Sequence, residues 1–164
     1  TYQYSSGDAT FLAGVVDAAM RQSEPRDWPF TRLFDPLGME SAVLERDAAG
    51  TPVGSSWFYA TPRDLAKFGL LYLDDGCWEG QRILPDGWVA ASTAVSEPFK
   101  KHPLETAPGD VQGRMIWLNR PVPEQHVGTP WPHVPEDAFA ARGHWGQSIT
   151  VVPSTDARQP PSPR

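Results

Sequence analysis

Proline sets the first limit on what this chain can become. Eighteen of its 164 residues are proline, against about 5% in average globular chains. Each proline fixes φ and removes a backbone donor, so many loops and few long helices are expected. Two segments read as the main helices. Asp8 can cap a helix over roughly residues 9–22, where Phe11, Leu12, Val15, Val16, Ala19 and Met20 recur at helical spacing in one apolar stripe. Thr61-Pro62-Arg63-Asp64 is the clearest helix start: Thr61 can cap free amides, Pro62 suits the first turn, and Asp64 can return a bond to the Thr61 amide. Leu65, Phe68, Leu71 and Tyr72 then share one side, and Gly76 ends the helix.

The rest of the chain reads as short elements. Phe30 to Phe34 suits a short helix stopped by Pro36 and Gly38. Residues 41–54 suggest a hairpin in which Ala42-Val43-Leu44 and the stretch near Val53 flank the turn residues Asp47-Ala48-Ala49-Gly50. A short helix is expected from Leu84 to about Thr93, and residues 97–112 read as a Pro-rich polar loop. Arg114 to Asn119 is the best strand before residue 138, and a long loop with five prolines follows between Pro121 and Pro135. Phe139-Ala140-Ala141 and Ser148 to Val152 read as a strand pair around Gly143 and Gly146.

Composition excludes several function classes. Seven Trp, seven Phe and four Tyr argue for a packed interior. A formal net charge of −6 gives no basic footprint for nucleic acid. No apolar run approaches the 18 residues or so of a membrane span. The lone cysteine, Cys77, forms no internal disulfide, and the carboxylates of Asp74 and Asp75 beside it disfavour a reactive thiolate, so its expected role is structural. His102, His126 and His133 lie in Pro-rich loops without metal-ligand spacing, so neither a metal nor another cofactor is implied. There is no Gly-x-Ser-x-Gly elbow. Compartment and oligomeric state stay open, since a targeting signal would have preceded Thr1.

Three segments carry the functional signal: Tyr4-Ser5-Ser6-Gly7-Asp8, then Trp57 to Gly69 with its Thr-Pro-x-Asp start, then Arg142-Gly143-His144-Trp145-Gly146-Gln147. In this order the chain resembles, from Tyr2 to Pro153, the serine hydrolases of the β-lactamase and penicillin-binding-protein superfamily. The likeness is to the branch holding class C β-lactamases, β-lactamase-like esterases and 6-aminohexanoate-dimer hydrolases. That family's nucleophile lies in a Ser-x-x-Lys motif upstream of the tyrosine. The residues three positions before Lys67, Lys100 and Lys101 are Asp64, Glu97 and Pro98, so this chain holds no such motif. The resemblance therefore implies an α+β fold with helices packed on an antiparallel sheet. It implies the later part of one domain over residues 1–153, without the N-terminal part and without the last strand and helix. Residues 154–164, with no apolar alternation, are expected to be a non-native or disordered tail.

The resemblance also assigns roles. Acyl transfer in this family needs a serine nucleophile, a base and oxyanion donors. Tyr4 falls on the tyrosine of the Tyr-x-Asn motif and would be the general base. A free phenol titrates near about 10, so it serves as a base only where cations favour the phenolate. Ser6 stands where the family carries Asn or a similar polar residue; its shorter reach favours an esterase or amide hydrolase over a β-lactamase. His144 would donate to a substrate carboxylate or to the tyrosine oxygen, Trp145 would form an apolar wall, and Gly146 would let backbone approach substrate. The Gln147 amide would be an oxyanion donor. The implied partner is a small ester, amide or β-lactam. The alternative is a binding or interaction module that kept the scaffold without the nucleophile, and a 164-residue chain alone is expected to be inactive and poorly stable.

Overall fold

Helix α1 (Ser6–Met20) is capped by a serine where the sequence suggested the aspartate. In this computed structural model, which describes residues 3–24, 27–102 and 109–156, the Ser5 hydroxyl accepts the Asp8 amide at 3.3 Å. Asp8 is left in the first turn, where its charge favours the positive end of the helix dipole. The described residues form two compact units. One holds those of Ser5–Phe68 and Trp78–Ile83, the other those of Thr1–Tyr4, Gly69–Cys77 and Leu84–Arg164.

In the first unit the apolar stripe of α1 faces solvent: Phe11 is 75% exposed, and Leu12, Val15 and Val16 are exposed too. What α1 buries is Asp17. Its carboxylate accepts the Trp28 indole N–H at 3.0 Å and pairs with Arg21 at 2.6 Å. Arg21 and Arg46 both donate to the Gly50 carbonyl, at 3.1 and 2.9 Å. Asp47 holds the turn before it by accepting the amides of Ala49 and Thr51.

Strand β1 (Val43–Leu44) pairs antiparallel with β2 (Phe58–Tyr59), in the register Val43↔Tyr59 and Leu44↔Phe58. The expected turn at 47–50 is present, and across it the stretch near Val53 supplies a bridge, Arg46↔Pro52, with the Val53 amide donating to the Glu45 carbonyl and the Asp47 amide to the Thr51 carbonyl. Pro52 and Gly54 weaken a ladder there, whereas the aromatic Phe58 and Tyr59 favour one. Residues 30–34 form the expected short helix as a wide turn, with Asp35 donating to the Phe30 carbonyl five residues back.

Helix α2 (Pro62–Leu73) keeps the expected start with different bonding. Thr61 Oγ1 accepts the Asp64 amide at 3.4 Å. The Asp64 carboxylate takes the Ser41 amide and hydroxyl and the Lys67 ammonium, and Ser41 Oγ accepts the Thr61 amide. Ser41 thus replaces the Asp64 carboxylate as the partner of the Thr61 amide. The Lys67 hydrogen bond first, then those from Ser41, hold the Asp64 carboxyl down at about 2. The turn that stops the helix closes at Gly76, whose amide meets the Leu71 carbonyl at 2.8 Å. Strands β3 (Cys77–Trp78) and β4 (Gln81–Arg82) then form a small hairpin.

In the second unit, α3 (Trp88–Ser92) is followed by α4 (Glu97–Lys101), inside a region expected to be loop. Ser96 caps it, with Glu97 and Pro98 in its first turn and Lys100 and Lys101 in its last. Those are helix start and stop signals that the prolines nearby obscured. Residues 103–108 lie outside the described residues.

Strands β5 (Val111–Gln112), β6 (Trp117–Leu118), β7 (Phe139–Arg142) and β8 (Ser148–Val151) make a four-stranded antiparallel sheet in that order. The expected 139–152 pair is there. The strand expected over Arg114 to Asn119 is shortened to β6, because residues 113–116 turn: the Gly113 amide meets the Ile116 carbonyl at 2.9 Å, with Met115 left-handed at φ 60. One sheet face carries Val111, Leu118, Phe139 and Val151, which are buried with Phe99 and Val122. The end of helix α2, residues 69–73, rests on this face. A Cβ on Gly69 would meet Ile149 Cγ2 at 3.0 Å, and the Tyr72 ring lies 6.0 Å from that of Phe139.

The long loop after β6 is gripped by buried Asn119. Its Nδ2 donates to the carbonyls of Trp131, Val134 and Pro135, and its Oδ1 accepts the Trp131 amide at 2.6 Å. After β8, Ser154 binds Asp137 through amide and hydroxyl. The tail from residue 157 lies outside the described residues.

Candidate active site

Alternation along the strands puts Gln112, Trp117, Ala140, Arg142, Ser148 and Thr150 on the face opposite the core, since each register pair shares a side. Tyr4 reaches this face. Its ring lies 5.5 Å from that of Trp117, inclined at 40°. The Arg142 guanidinium carbon lies 5.2 Å from the centroid of the same indole, and Arg142 Nη1 is 3.4 Å from each Asp110 carboxylate oxygen. Because β6 and β7 are antiparallel, the start of β6 lies beside the end of β7. Tyr4 is therefore tied by Trp117 and Arg142 to the end of the sheet where β7 delivers residues 143–147.

Those residues form a tight reversal between β7 and β8. The Gly143 amide donates to the Gln147 carbonyl at 2.8 Å, and Trp145 and Gly146 are successive left-handed residues, φ 62 and 78. A left-handed conformation costs a non-glycine residue about 1–2 kcal/mol. Trp145 bears that cost while 89% exposed, its ring meeting that of His144 in a T-shaped pair with centroids 5.1 Å apart. Backbone strain of this kind collects at functional sites. Gln147 turns its side-chain amide back to the His144 carbonyl at 3.3 Å.

Of the six residues singled out from sequence, Tyr4, His144, Trp145, Gly146 and Gln147 lie in the unit of the four-stranded sheet, and Ser6 lies in the other unit. Ser6 is the first residue of α1 and is exposed. Sequence reasoning missed Asp110, Trp117 and Arg142. Strand alternation could have grouped Trp117 with Arg142, but only once the turn at 113–116 had set the register. Among the described residues there is no cluster of His, Cys, Asp or Glu able to hold a metal ion, and no helix is long and apolar enough to cross a membrane.

The described residues, with helices and antiparallel sheets, form an α+β scaffold. One similar solved structure is that of a "putative 6-aminohexanoate-dimer hydrolase" from Bacillus anthracis, which matches 93% of this chain at 26% identity with a TM-score of 0.69. The chain spans 36% of the length of that structure, and so corresponds to a part of its fold. No family model and no curated protein matches the chain.

Proposed function

We propose that residues 1–153 are the later part of a β-lactamase-like serine hydrolase domain whose intact form cleaves an ester, amide or β-lactam through an acyl-enzyme. The observation that carries this reading is the contact path from Tyr4 through Trp117 to Arg142, which ties the tyrosine segment to the sheet end bearing His144-Trp145-Gly146-Gln147. The likeness to a protein described as a hydrolase supports it.

In this mechanism Tyr4 takes the proton of a serine hydroxyl supplied by another part of the polypeptide. The serine oxygen attacks the acyl carbon, and the Gln147 amide stabilises the oxyanion. The leaving group departs with the proton held by Tyr4, and water then releases the acyl group by the reverse transfer. His144 donates to the substrate, exposed Trp145 forms an apolar wall over it, and Gly146 lets backbone approach it.

The test is to sequence the gene upstream of Tyr4 and to assay the intact protein with chromogenic esters, amides and β-lactams. A Ser-x-x-Lys upstream, an acyl adduct on that serine by mass spectrometry and a loss of about 10²–10⁴ in kcat for Tyr4→Phe are expected. An intact protein without such a serine would overturn the reading in favour of a non-catalytic binding module.

A further inference from the structure

Arg142 has no role in the mechanism above, yet three chain segments converge on it. Asp110, just before β5, Trp117 on β6 and Arg142 on β7 meet through their side chains: Arg142 Nη1 lies 3.4 Å from each Asp110 carboxylate oxygen, and the guanidinium carbon lies 5.2 Å from the Trp117 ring centroid. An exposed ion pair at 3.4 Å contributes little to stability. Its geometric effect is larger: the Asp110 carboxylate fixes the guanidinium, and the guanidinium lies against the indole. Tyr4 needs such a support. It precedes the Ser5 cap of α1, is 51% exposed and packs its ring on that same indole.

We propose that Arg142, braced by Asp110, is a positioning residue that holds Trp117 as the platform for the Tyr4 ring. Its geometry stands independently, and its use in turnover rests on the serine-hydrolase reading. Arg142 acts through Trp117 and touches no substrate. Lysine cannot replace it fully, because a planar guanidinium stacks on an indole and an ammonium presents only a point charge.

The experiment is NMR of the intact protein with ring-labelled tyrosine, the Tyr4 signal being assigned by its loss in Tyr4→Phe. The Tyr4 ring signal is expected to carry a ring-current shift from Trp117 that Arg142→Ala removes and Arg142→Lys partly restores, while Tyr59 and Tyr72 stay in place. In parallel, Arg142→Ala should lower kcat roughly tenfold to a hundredfold with KM held within about twofold. An unmoved Tyr4 signal in Arg142→Ala overturns the proposal. So does a rise in KM confined to substrates bearing a carboxylate, which would make Arg142 a substrate contact. If Arg142→Ala fails to fold, Tyr59 and Tyr72 shift as well and Asp110→Asn decides: movement of Tyr4 alone supports the platform, and no movement overturns it. A Tyr4 shift that depends on Arg142 in a protein without any turnover supports the platform and overturns only the hydrolase reading.

Discussion

In the sheet unit, Phe99, Val111, Leu118, Phe139 and Val151 pack into one continuous apolar cluster. In the other unit the longest helix turns Phe11, Leu12, Val15 and Val16 outward and buries Asp17 instead. The first region is ordered largely by volume and the second largely by carboxylates: Asp17 on two arginines and Trp28, Asp47 on its own turn, and Asp64 on Ser41 and Lys67. Two parts of one chain should therefore answer to different perturbations. The sheet unit should feel lost methyl groups, and the helical unit should feel pH and broken hydrogen bonds.

The sharpest way to break this contrast is Phe99→Ala. Emptying the most buried aromatic position of the cluster should cost about 3–5 kcal/mol, read from urea unfolding. Asp17→Asn comes next. It removes the charge from a buried carboxylate with three partners and should cost about 1.5–3 kcal/mol, with a smaller loss in the sheet unit by hydrogen exchange.

Acid should separate the units further. An unfolded aspartate takes up its proton near about pH 3.9, whereas folded Asp64 stays ionised down to about 2. Its contribution is therefore fully present above about pH 4 and is lost as pH falls from there toward 2. Urea midpoints of the native protein and of Asp64→Asn should differ at pH 6 and converge by pH 2; a constant gap would refute the assignment. Trp145→Gly relieves a left-handed tryptophan and should raise stability by about 0.5–1 kcal/mol while weakening substrate binding. The smallest change is Phe11→Ser, expected within about 0.5 kcal/mol for a surface position. A large loss in the intact protein would mean that another part of the polypeptide covers this face of α1.

Legibility in the sequence followed the same division. Elements with strong local chemistry could be read directly: α2 from Thr61-Pro62, the 30–34 turn from its flanking breakers, and β7 and β8 as a strand pair around two glycines. Position and partner were harder to read. Ser5 and Asp8 are both good caps, and which of them capped α1 was decided by where the helix began. The partner of β1 depended on Pro52 and Gly54 weakening the nearer strand. In the candidate site, Tyr4 and the 144–147 turn came from motif order. Asp110, Trp117 and Arg142 stayed hidden because their grouping depends on register across strands far apart in sequence, which no local pattern encodes.

The grip of Asn119 on the backbone at residues 131–135 bears on how this molecule can be re-engineered. A long irregular loop is ordinarily the place to splice in a tag or a reporter. Here its second half hangs on one amide, and its first half is closed by the bridge between Val122 and Val127. Exchanging the Asn119 nitrogen for oxygen, as in Asn119→Asp, would set like against like before three carbonyls. Foreign sequence is best admitted at Gly128 and Thr129, where the chain passes from one fastening to the next and a side chain added at Gly128 would meet nothing within 4 Å.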